Sequence, residues 1–315
     1  MTAFKDTLRN GDNLKKVVVI GGGAAGLMAA GTAGQCGHKV TVVETQPRPA
    51  RKVMITGKGR CNVTNNTDLS GLIRSVGKNG KFLYSAFSEF TSQDTMEFFE
   101  DRGVPLKTER GNRVFPVSDK SVDIVDALVA FAKENAEIIC DRAVHVLTEN
   151  GAVCGVKLES GDTLACDSVI IATGGLSYPL TGSTGDGYKI AAELGHTVTP
   201  LRPSLVGLEC AEGFCTKMQG LSLRNVAVKL FKNDSKKPIF SDFGELLFTH
   251  YGVSGPTILS ASALVDDTEN NSYTISVDLK PALDEASLDN RLLRDFSKNN
   301  NKISPTVWTS FYRKV

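Results

Sequence analysis

The sequence has 315 residues, of which 41% are hydrophobic and 23% are charged, with 36 basic against 35 acidic side chains and a formal net charge of +1. This length accommodates two domains, and the composition is that of a soluble globular protein. Because the net charge is near zero, we expect a small-molecule ligand rather than nucleic acid or an acidic membrane surface.

An apolar run at 16–20 leads into glycines and then into a segment rich in Ala, Leu and Met. This order predicts a strand, a tight turn and a helix. Gly21 allows the turn, Gly23 lets backbone N–H groups approach a pyrophosphate at the helix N-terminus, and Gly26 lets the helix pack closely on the strand. The motif therefore predicts a dinucleotide site.

A second apolar strand ends at Glu44, eighteen residues after Gly26. An acidic side chain at this position accepts hydrogen bonds from ribose hydroxyls, whereas a 2′-phosphate would meet a like charge. We therefore expect FAD or NAD rather than NADP. The competing interpretation is a glycine-rich turn in an unrelated α/β protein, which the strand, the helix and Glu44 together disfavour.

Residues 51–65 form a loop with two glycines and four cations. A loop of this composition can wrap a phosphate-bearing ligand through backbone N–H groups and cationic side chains. A solvated basic loop is the competing interpretation.

Residues 68–101 carry the pattern of three short helices, and we expect their phenylalanines to be core: Phe82, Phe87, Phe90, Phe98 and Phe99. Ser118 and Asp119 are candidate caps of the next helix. We expect the apolar face of that helix to cover the sheet. Its members are Val122, Val125, Leu128, Val129 and Ala132.

After this helix the pattern changes to short alternating strands. Asn150-Gly151 predicts a type I′ hairpin between strands at 143–148 and 153–158, and a third strand completes a meander. An apolar strand at 168–171 then opens into the small-residue turn Ala172–Gly175, against which a flat ligand can lie. A nicotinamide dehydrogenase more often continues with plain βα units, so this order favours FAD.

A hydroxyl- and glycine-rich loop at 181–187 precedes a predicted helix at 186–194 and is a candidate wall of the site, although helix capping explains it nearly as well. Pro200 and Pro203 mark a change in the pattern of predicted secondary structure. Beyond them we predict strands at 205–210, 223–232, 245–249 and 272–279, and helices at 256–264 and 284–297. We therefore expect two domains, 1–200 and 201–315.

Several long and unusual segments together resemble the bacterial flavoprotein family that includes aminoacetone oxidase-like enzymes and bile-acid dehydro-reductases acting on steroid enones. The matching segments are Gly21–Gly26, Arg51–Asn65, Arg113–Pro116, Ser118–Lys120, Ala172–Gly187, Pro203–Val206, Gly244–His250 and Ser254–Pro256. The resemblance implies an α/β fold, in which a Rossmann-like FAD-binding domain of the two-dinucleotide-binding type carries a β-meander and an inserted mixed β/α second domain. It also implies FAD, with NADH or NADPH as an electron partner.

The sequence departs from the family pattern at three places. Ala50 stands where we expect Gly, and Gly207 stands where we expect Pro; both are loop positions, and neither should abolish binding. In the family the chain returns from the inserted domain to the FAD domain with a segment that contacts the flavin. Lys302–Val315 does not match that pattern, so we expect a truncated or frame-altered product that lacks this segment.

The residues that we assign to the site fall into two groups. The cofactor-binding group is Gly21, Gly23, Ala25, Gly26, Glu44, Arg51, Lys52, Thr56, Gly57, Gly59, Arg60, Cys61, Asn62, Val144, Thr173, Gly174 and Gly175. The catalytic candidates are Tyr178, as a proton donor on the substrate side, and His250, for which a structural role is the stronger interpretation. We interpret Cys61 as a small buried filler rather than a redox thiol.

Seven cysteines without a C-x-x-C pair indicate neither a disulfide framework nor a metal site, and they favour a reducing cytoplasm. Three functions fit the sequence. The first is an FAD-dependent oxidoreductase that transfers two electrons between flavin and a small organic substrate, in either the reductase or the oxidase direction. The second is a non-catalytic remnant with an incomplete flavin site, and the third is an NAD-binding dehydrogenase.

Overall fold

A computed structural model describes residues 14–297 of the chain, without the side chain of Lys78. The chain divides into two compact units, the first ending at Val198 and the second beginning at Thr199. The segment Lys302–Val315 lies outside the described residues, so the expected truncation stays a prediction.

A parallel sheet of four strands forms the centre of the first unit. The strands described in this unit are β1 (Lys16–Ile20), β2 (Lys39–Glu44), β3 (Thr64–Asn65), β4 (Leu106–Glu109), β5 (Arg113–Pro116), β6 (Glu137–Cys140), β7 (Ala143–Glu149), β8 (Ala152–Leu158), β9 (Thr163–Ala165) and β10 (Ser168–Ile171). The order in the parallel sheet is β10-β1-β2-β6. Ile20 lies between Val43 and Ile171, so the carboxyl ends of three strands meet at one edge. The predicted α/β fold class is confirmed.

Helices pack on this sheet and on one another. The helices described in the first unit are α1 (Ala24–Gln35), α2 (Arg51–Ile55), α3 (Leu69–Val76), α4 (Tyr84–Glu89), α5 (Ser92–Glu100), α6 (Ser121–Asn135) and α7 (Asp186–Glu193). Short 3₁₀ segments lie at Thr56–Gly59, Gly77–Leu83 and Pro179–Thr181.

Helix α6 has the predicted apolar face, with Val125, Leu128 and Ala132 buried. It packs mainly against α1, and Ile138 of the parallel sheet packs against the core cluster that contains its buried residues. The Phe131 ring sits so close to Gly31 that a Cβ on that glycine would lie 2.3 Å from the ring. Glycine at this position of α1 therefore lets the two helices approach.

The predicted capping of α6 by Ser118 or Asp119 is wrong. The N-cap position is Lys120, which makes no side-chain capping bond. The Ser118 hydroxyl donates instead to the Asp123 carboxylate, and Asp119 pairs with two cations described below. The side-chain contact at the start of α6 is thus the Ser118–Asp123 hydrogen bond, and the N-cap residue Lys120 contributes none.

The predicted meander is confirmed as the antiparallel sheet β7-β8-β9. Asn150 and Gly151 have φ angles of 51° and 78°, which are the two positive values that a type I′ turn requires. A second small antiparallel sheet has the order β3-β5-β4, and its strand β3 is formed by the last two residues of the segment 51–65.

The phenylalanine prediction for 68–101 is correct at one end of the segment and wrong at the other. Phe98 and Phe99 are 1% and 5% exposed, and Phe87 is half-buried. Phe82 is 87% exposed and Phe90 is 37% exposed. Between α3 and α4 the backbone approaches itself closely, since a Cβ on Gly80 would lie 2.1 Å from the Ile73 carbonyl oxygen.

The aromatic core around α5 and α6 includes one cation. The Arg102 guanidinium lies over the rings of Phe98 and Phe131, 3.9 Å and 4.5 Å from their centroids. Its Nη1 also donates to the Phe98 carbonyl at 3.1 Å. Both interactions add to the packing between the two helices.

The second unit is a five-stranded antiparallel sheet with helices. Its described strands are β11 (Leu208–Glu209), β12 (Ser222–Lys232), β13 (Phe240–Phe248), β14 (Gly252–Ser254) and β15 (Tyr273–Asp278). They lie in the order β11-β14-β13-β12-β15. Its described helices are α8 (Phe214–Lys217), α9 (Pro256–Ser262) and α10 (Glu285–Ser297). Each predicted strand and helix has a counterpart, but the strand predicted at 205–210 is limited to Leu208–Glu209 and the one predicted at 245–249 begins at Phe240. Strand β14 and helix α8 were not predicted.

One polar network holds the outer strands of this sheet to the segment before β15. Lys232 Nζ lies 2.6 Å from Asp266 Oδ1, and the Tyr273 hydroxyl donates to the same oxygen at 2.7 Å. The hydrogen bond from Lys232, followed by that from Tyr273, lowers the pKa of Asp266 to about 2. Among residues 14–297, no helix is long and apolar enough to cross a membrane.

Candidate cofactor-binding site

A cavity of about 340 Å³ opens in the first unit, where β1, β2 and β10 end. Nine of the residues assigned from sequence line it: Gly21, Gly23, Ala25, Glu44, Arg51, Lys52, Thr56, Thr173 and Gly174. The fold brings these residues together from four segments of the chain. The carboxyl edge of a parallel sheet is where ligands bind in folds of this kind.

The three glycines of the opening motif play different roles in the walls of this cavity. Gly21 has φ +106°, and a Cβ there would lie 2.6 Å from the Ala172 carbonyl oxygen. A Cβ on Gly26 would lie 1.8 Å from the Gly21 carbonyl oxygen, which is an impossible contact. At Gly23, by contrast, a Cβ would have no neighbour within 4 Å. Gly21 and Gly26 are therefore required by the fold, and Gly23 leaves an open cradle at the start of α1.

Glu44 is held in place by backbone donors. The N–H of Gly22 donates to Oε2 at 2.6 Å, and the N–H of Gln46 donates to Oε1 at 2.8 Å. The Thr45 hydroxyl also donates to Oε1 at 3.3 Å. A carboxylate oxygen has two lone pairs, so Oε2, which accepts one bond, can still accept a bond from a ligand. The fixed carboxylate suits a ligand with neighbouring hydroxyl groups.

Lys52 supplies a positive charge to the cavity wall. Its Nζ donates to Ser183 Oγ at 2.6 Å, and Ser183 is only 7% exposed. Among the described residues, no carboxylate lies within 4.0 Å of this ammonium group. Burial lowers the pKa of Lys52 from its ordinary value of 10.5. The cation is thus partly desolvated and has no protein anion to balance it.

The position of Lys52 connects it to the glycine turn. A Cβ on Gly174 would lie 2.9 Å from Ser183 Oγ and 3.9 Å from Lys52 Nζ. The same turn presents the Ala172 carbonyl to Gly21. The ammonium group and the Gly21 turn therefore face one small region, which suits an anionic group such as a pyrophosphate.

The structure adds lining residues that the sequence analysis did not assign. These are Ile20, Ala24, Val43, Thr45, Ala50, Val53, Arg142, Ala143, Ala172, Thr181, Gly182, Ser183 and Asp186. Arg142 Nη1 lies 3.2 Å from Asp186 Oδ2, so this cation is paired, unlike Lys52. The loop at 181–187, predicted as a candidate wall, is the signal that could have identified Ser183 and Asp186.

Part of the loop at 51–65 has contacts away from the cavity. Arg60 Nε lies 2.7 Å from Asp119 Oδ1, and Arg60 also pairs with Glu109. Its guanidinium lies 4.1 Å from the centroid of the Phe115 ring. Lys107 Nζ binds the other Asp119 oxygen at 2.8 Å. These bonds, with Lys107 first and Arg60 second, lower the pKa of Asp119 and tie the loop to β4 and β5.

Eight residues assigned to the cofactor do not line the cavity: Gly26, Gly57, Gly59, Arg60, Cys61, Asn62, Val144 and Gly175. Cys61 is 5% exposed, and burial raises the pKa of its thiol. A neutral buried thiol agrees with the interpretation as a filler. Val144 follows the lining residue Ala143 on β7, where neighbouring side chains point to opposite faces.

The two catalytic candidates also lie outside this cavity lining. Tyr178 is 67% exposed and has φ 55°, a left-handed conformation. His250 belongs to the second unit, is exposed, and packs edge to face against Tyr251 with ring centroids 4.9 Å apart. Within residues 14–297, no group of three or more His, Cys, Asp or Glu side chains is placed to hold a metal ion.

The two loop departures noted in the sequence have structural explanations. Ala50 has φ 57° and is 3% exposed, so the left-handed conformation that favours glycine is present with a buried methyl group in its place. Gly207 lies under Tyr251, where a Cβ would be 2.4 Å from the phenol oxygen. Ala50 therefore fills buried space with its methyl group, and the absence of a side chain at Gly207 leaves room for the Tyr251 ring.

Comparisons with known proteins place the chain among flavoproteins. The family model described as the HI0933-like protein Rossmann domain matches residues 15–262. The ribosomal RNA dihydrouridine synthases of Escherichia coli and Haemophilus influenzae are 33% and 31% identical to this chain, covering 85% and 84% of it. The 3-dehydro-bile acid delta(4,6)-reductase of Clostridium scindens is 27% identical over 87% of the chain. The aligned regions span 64%, 64% and 67% of these relatives, respectively.

Proposed function

This chain belongs to the family of the HI0933-like protein Rossmann domain, and on that premise we propose that it binds FAD and acts as an oxidoreductase. The reaction that we propose is the two-electron reduction of a carbon–carbon double bond conjugated to a carbonyl group in a small organic molecule. The observation that carries the proposal is the cavity, where an open glycine cradle, a fixed carboxylate and an unbalanced cation occur together.

The residues of the cavity fit the parts of FAD. The backbone at Gly23 is open at the start of α1, where the N–H groups of a helix favour a pyrophosphate. Lys52 would balance part of the pyrophosphate charge, because its ammonium group has no carboxylate partner among the described residues. Glu44 would accept bonds from the ribose hydroxyls and would repel a 2′-phosphate.

FAD supplies the electron chemistry when it is bound, and the protein supplies position and electrostatics. The turn at Thr173 and Gly174 offers backbone without a bulky side chain against which a ring can lie. The Thr173 hydroxyl accepts from the Gly187 N–H at 3.1 Å, which fixes that turn to the start of α7. Tyr178 remains our candidate for proton donation to the substrate. His250 remains a candidate catalytic base, for which a structural role is the stronger interpretation.

The reactions in the names of the relatives support the reductive direction. A dihydrouridine synthase and a delta(4,6)-reductase both saturate carbon–carbon double bonds, and in a uracil ring the double bond is conjugated to a carbonyl group. NADH or NADPH is the electron donor that we propose. The same proposal includes a cytoplasmic location.

A second candidate substrate is a uracil ring within RNA. It is favoured by the two relatives that act on ribosomal RNA and share 33% and 31% identity with this chain. The expectation of no nucleic-acid partner rests on the net charge of +1, which is an average over 315 residues. A local basic surface is compatible with that average.

The test begins with the visible spectrum of the purified full chain. We expect a yellow protein that releases FAD on denaturation. Without oxygen, NADH or NADPH should reduce the flavin and bleach its colour. A steroid 4-en-3-one or uridine-containing RNA should then reoxidise it. A colourless protein that stays colourless with added FAD would contradict the proposal and support the remnant. Tight NAD binding without flavin would support the dehydrogenase instead.

A further inference from the structure

The segment from α3 to α4, residues 69–90, presents aromatic rings to solvent. We call it the α3–α4 segment. Phe82 is 87% exposed and Tyr84 is 59% exposed. The segment folds back so closely that a Cβ on Gly80 would lie 2.1 Å from the Ile73 carbonyl oxygen. Both rings therefore lie on the surface of a segment whose backbone is tightly folded at Gly80.

Cations accompany these rings. Arg74 and Lys81 are both exposed, and Glu89 is the single acidic residue in the sequence from 69 to 90. Among the described residues, neither cation has a carboxylate within 4.0 Å. Arg74 makes one hydrogen bond within its own helix, to Ser70 Oγ at 3.0 Å. Asp68, directly before the segment, interacts electrostatically with Arg74 without a direct ion pair. The segment itself carries more basic than acidic charge.

Exposed aromatic faces beside unpaired cations are the combination that binds single-stranded nucleic acid, because bases stack on rings while phosphates attract the cations. An anionic membrane would require a continuous apolar face. Here polar Asn79 and Ser85 flank the rings and interrupt such a face. A solvated helix surface explains the cations, but it does not explain an 87% exposed phenylalanine.

We propose that the α3–α4 segment binds single-stranded RNA, with bases stacked on Phe82 and Tyr84 and phosphates paired with Arg74 and Lys81. RNA rather than DNA is chosen because this inference rests on the second proposed substrate, a uracil ring in RNA. The segment would hold the strand that carries the reacting base, outside the cofactor cavity.

The experiment is a fluorescence-polarisation titration of the full chain with a labelled uridine-rich RNA of about 15 nucleotides. We expect Phe82→Ala to weaken binding about 5- to 150-fold, because one stacked base is lost. We expect the double change Arg74→Gln and Lys81→Gln to reduce the slope of log affinity against log salt by about 1.4, since about 0.7 is lost for each phosphate contact to a single strand.

A matched control lies on α8 in the second unit. Phe214 is 56% exposed, and Lys217 is exposed on the same short helix. The double variant Phe214→Ala and Lys217→Gln should bind RNA like the wild type. Equal weakening by the control would overturn the proposal, as would wild-type binding in Phe82→Ala and in the cation variant. Binding of vesicles of phosphatidylcholine and phosphatidylserine without binding of RNA would also overturn it.

Thermal unfolding of each variant checks that the fold is retained, which we expect because all five changed side chains are exposed. RNA binding without reduction of its uridines would leave this inference standing and remove the RNA substrate proposal. Reduction of a steroid enone without RNA binding would remove this inference and leave the oxidoreductase standing. The two proposals therefore fail independently.

Discussion

Replacing Lys52 by methionine is the sharpest test of the cofactor site. The ammonium group donates to Ser183 Oγ at 2.6 Å and faces the cavity without a carboxylate partner among the described residues. Methionine has nearly the same length and removes only the charge and its hydrogen bonds. We expect this change to lower the affinity for FAD while leaving the stability of the FAD-free protein nearly unchanged.

The size of the effect follows from the chemistry of the contact. A hydrogen bond to a charged group contributes about 1.5–3 kcal/mol, so the loss of one bond to pyrophosphate should weaken FAD binding about 10- to 150-fold. The stability of the FAD-free protein should change little, because relief of the desolvation that lowers the pKa of Lys52 offsets the lost hydrogen bond to Ser183. FAD affinity should also decline as the pH rises through this lowered pKa, because deprotonation removes the charge.

The assay is titration of the FAD-free protein with FAD by flavin fluorescence, with thermal unfolding measured in parallel. Lys58→Met is the matched control, because Lys58 is an exposed lysine of the same loop that does not line the cavity. Lys52→Arg keeps the charge and should bind better than Lys52→Met. The reasoning is refuted if Lys52→Met binds FAD like the wild type, or if Lys58→Met weakens binding equally.

Three further predictions use the same protein preparation. Gly23→Ala should leave the unfolding temperature unchanged but weaken FAD binding, because its Cβ would enter the open space that the cofactor would occupy. Gly26→Ala should lower both the unfolding temperature and the affinity for FAD, because its Cβ would lie 1.8 Å from a carbonyl oxygen. Arg102→Ala should lower the free energy of unfolding by about 1–3 kcal/mol in urea titration, because two ring contacts and one hydrogen bond are lost. Asp266→Asn should destabilise the protein at pH 7, and this difference should shrink as the pH falls from about 4 towards 2.

The sign of the Asp266 prediction follows from linkage. Its folded pKa of about 2 lies below the ordinary value of 3.8, so its contribution is present above that ordinary value and is lost as the pH falls through 2. A difference that grows in acid would contradict it. For Arg102, Arg102→Lys is the control that keeps the charge, and it should be intermediate. For the glycines, equal loss of stability in Gly23→Ala would show that the cradle is not open.

The elements that the sequence predicts well are those whose signal is local. The strand–turn–helix at 16–35, the Asn150-Gly151 hairpin and the strands of the second unit depend on neighbouring residues, and the structure confirms them. Burial of Phe82 was predicted wrongly because aromatic content indicates core only where a partner surface exists. Phe82 lies in the short 3₁₀ segment Gly77–Leu83 and is 87% exposed, so it has no such surface.

The walls of the cavity were harder to predict because they form between distant parts of the chain. The Lys52 and Ser183 pair joins residues 131 positions apart, and Arg142 meets Asp186 across 44 positions. Arg60 shows the reverse case, since its charge is used by Glu109 and Asp119 rather than by the cavity. A cation count in a loop therefore says nothing about which cation faces the ligand.

The charges in the cavity favour one kind of dinucleotide. Glu44 accepts from two backbone N–H groups and so stays fixed as an acceptor, which suits neighbouring hydroxyls and opposes a phosphate. Lys52 faces the glycine turn and so favours an anion there. A ligand that satisfies both has free ribose hydroxyls and an anionic bridge, as FAD and NAD do. Membership of a flavoprotein family then distinguishes FAD from NAD. The charges of the cavity and the family together therefore favour FAD.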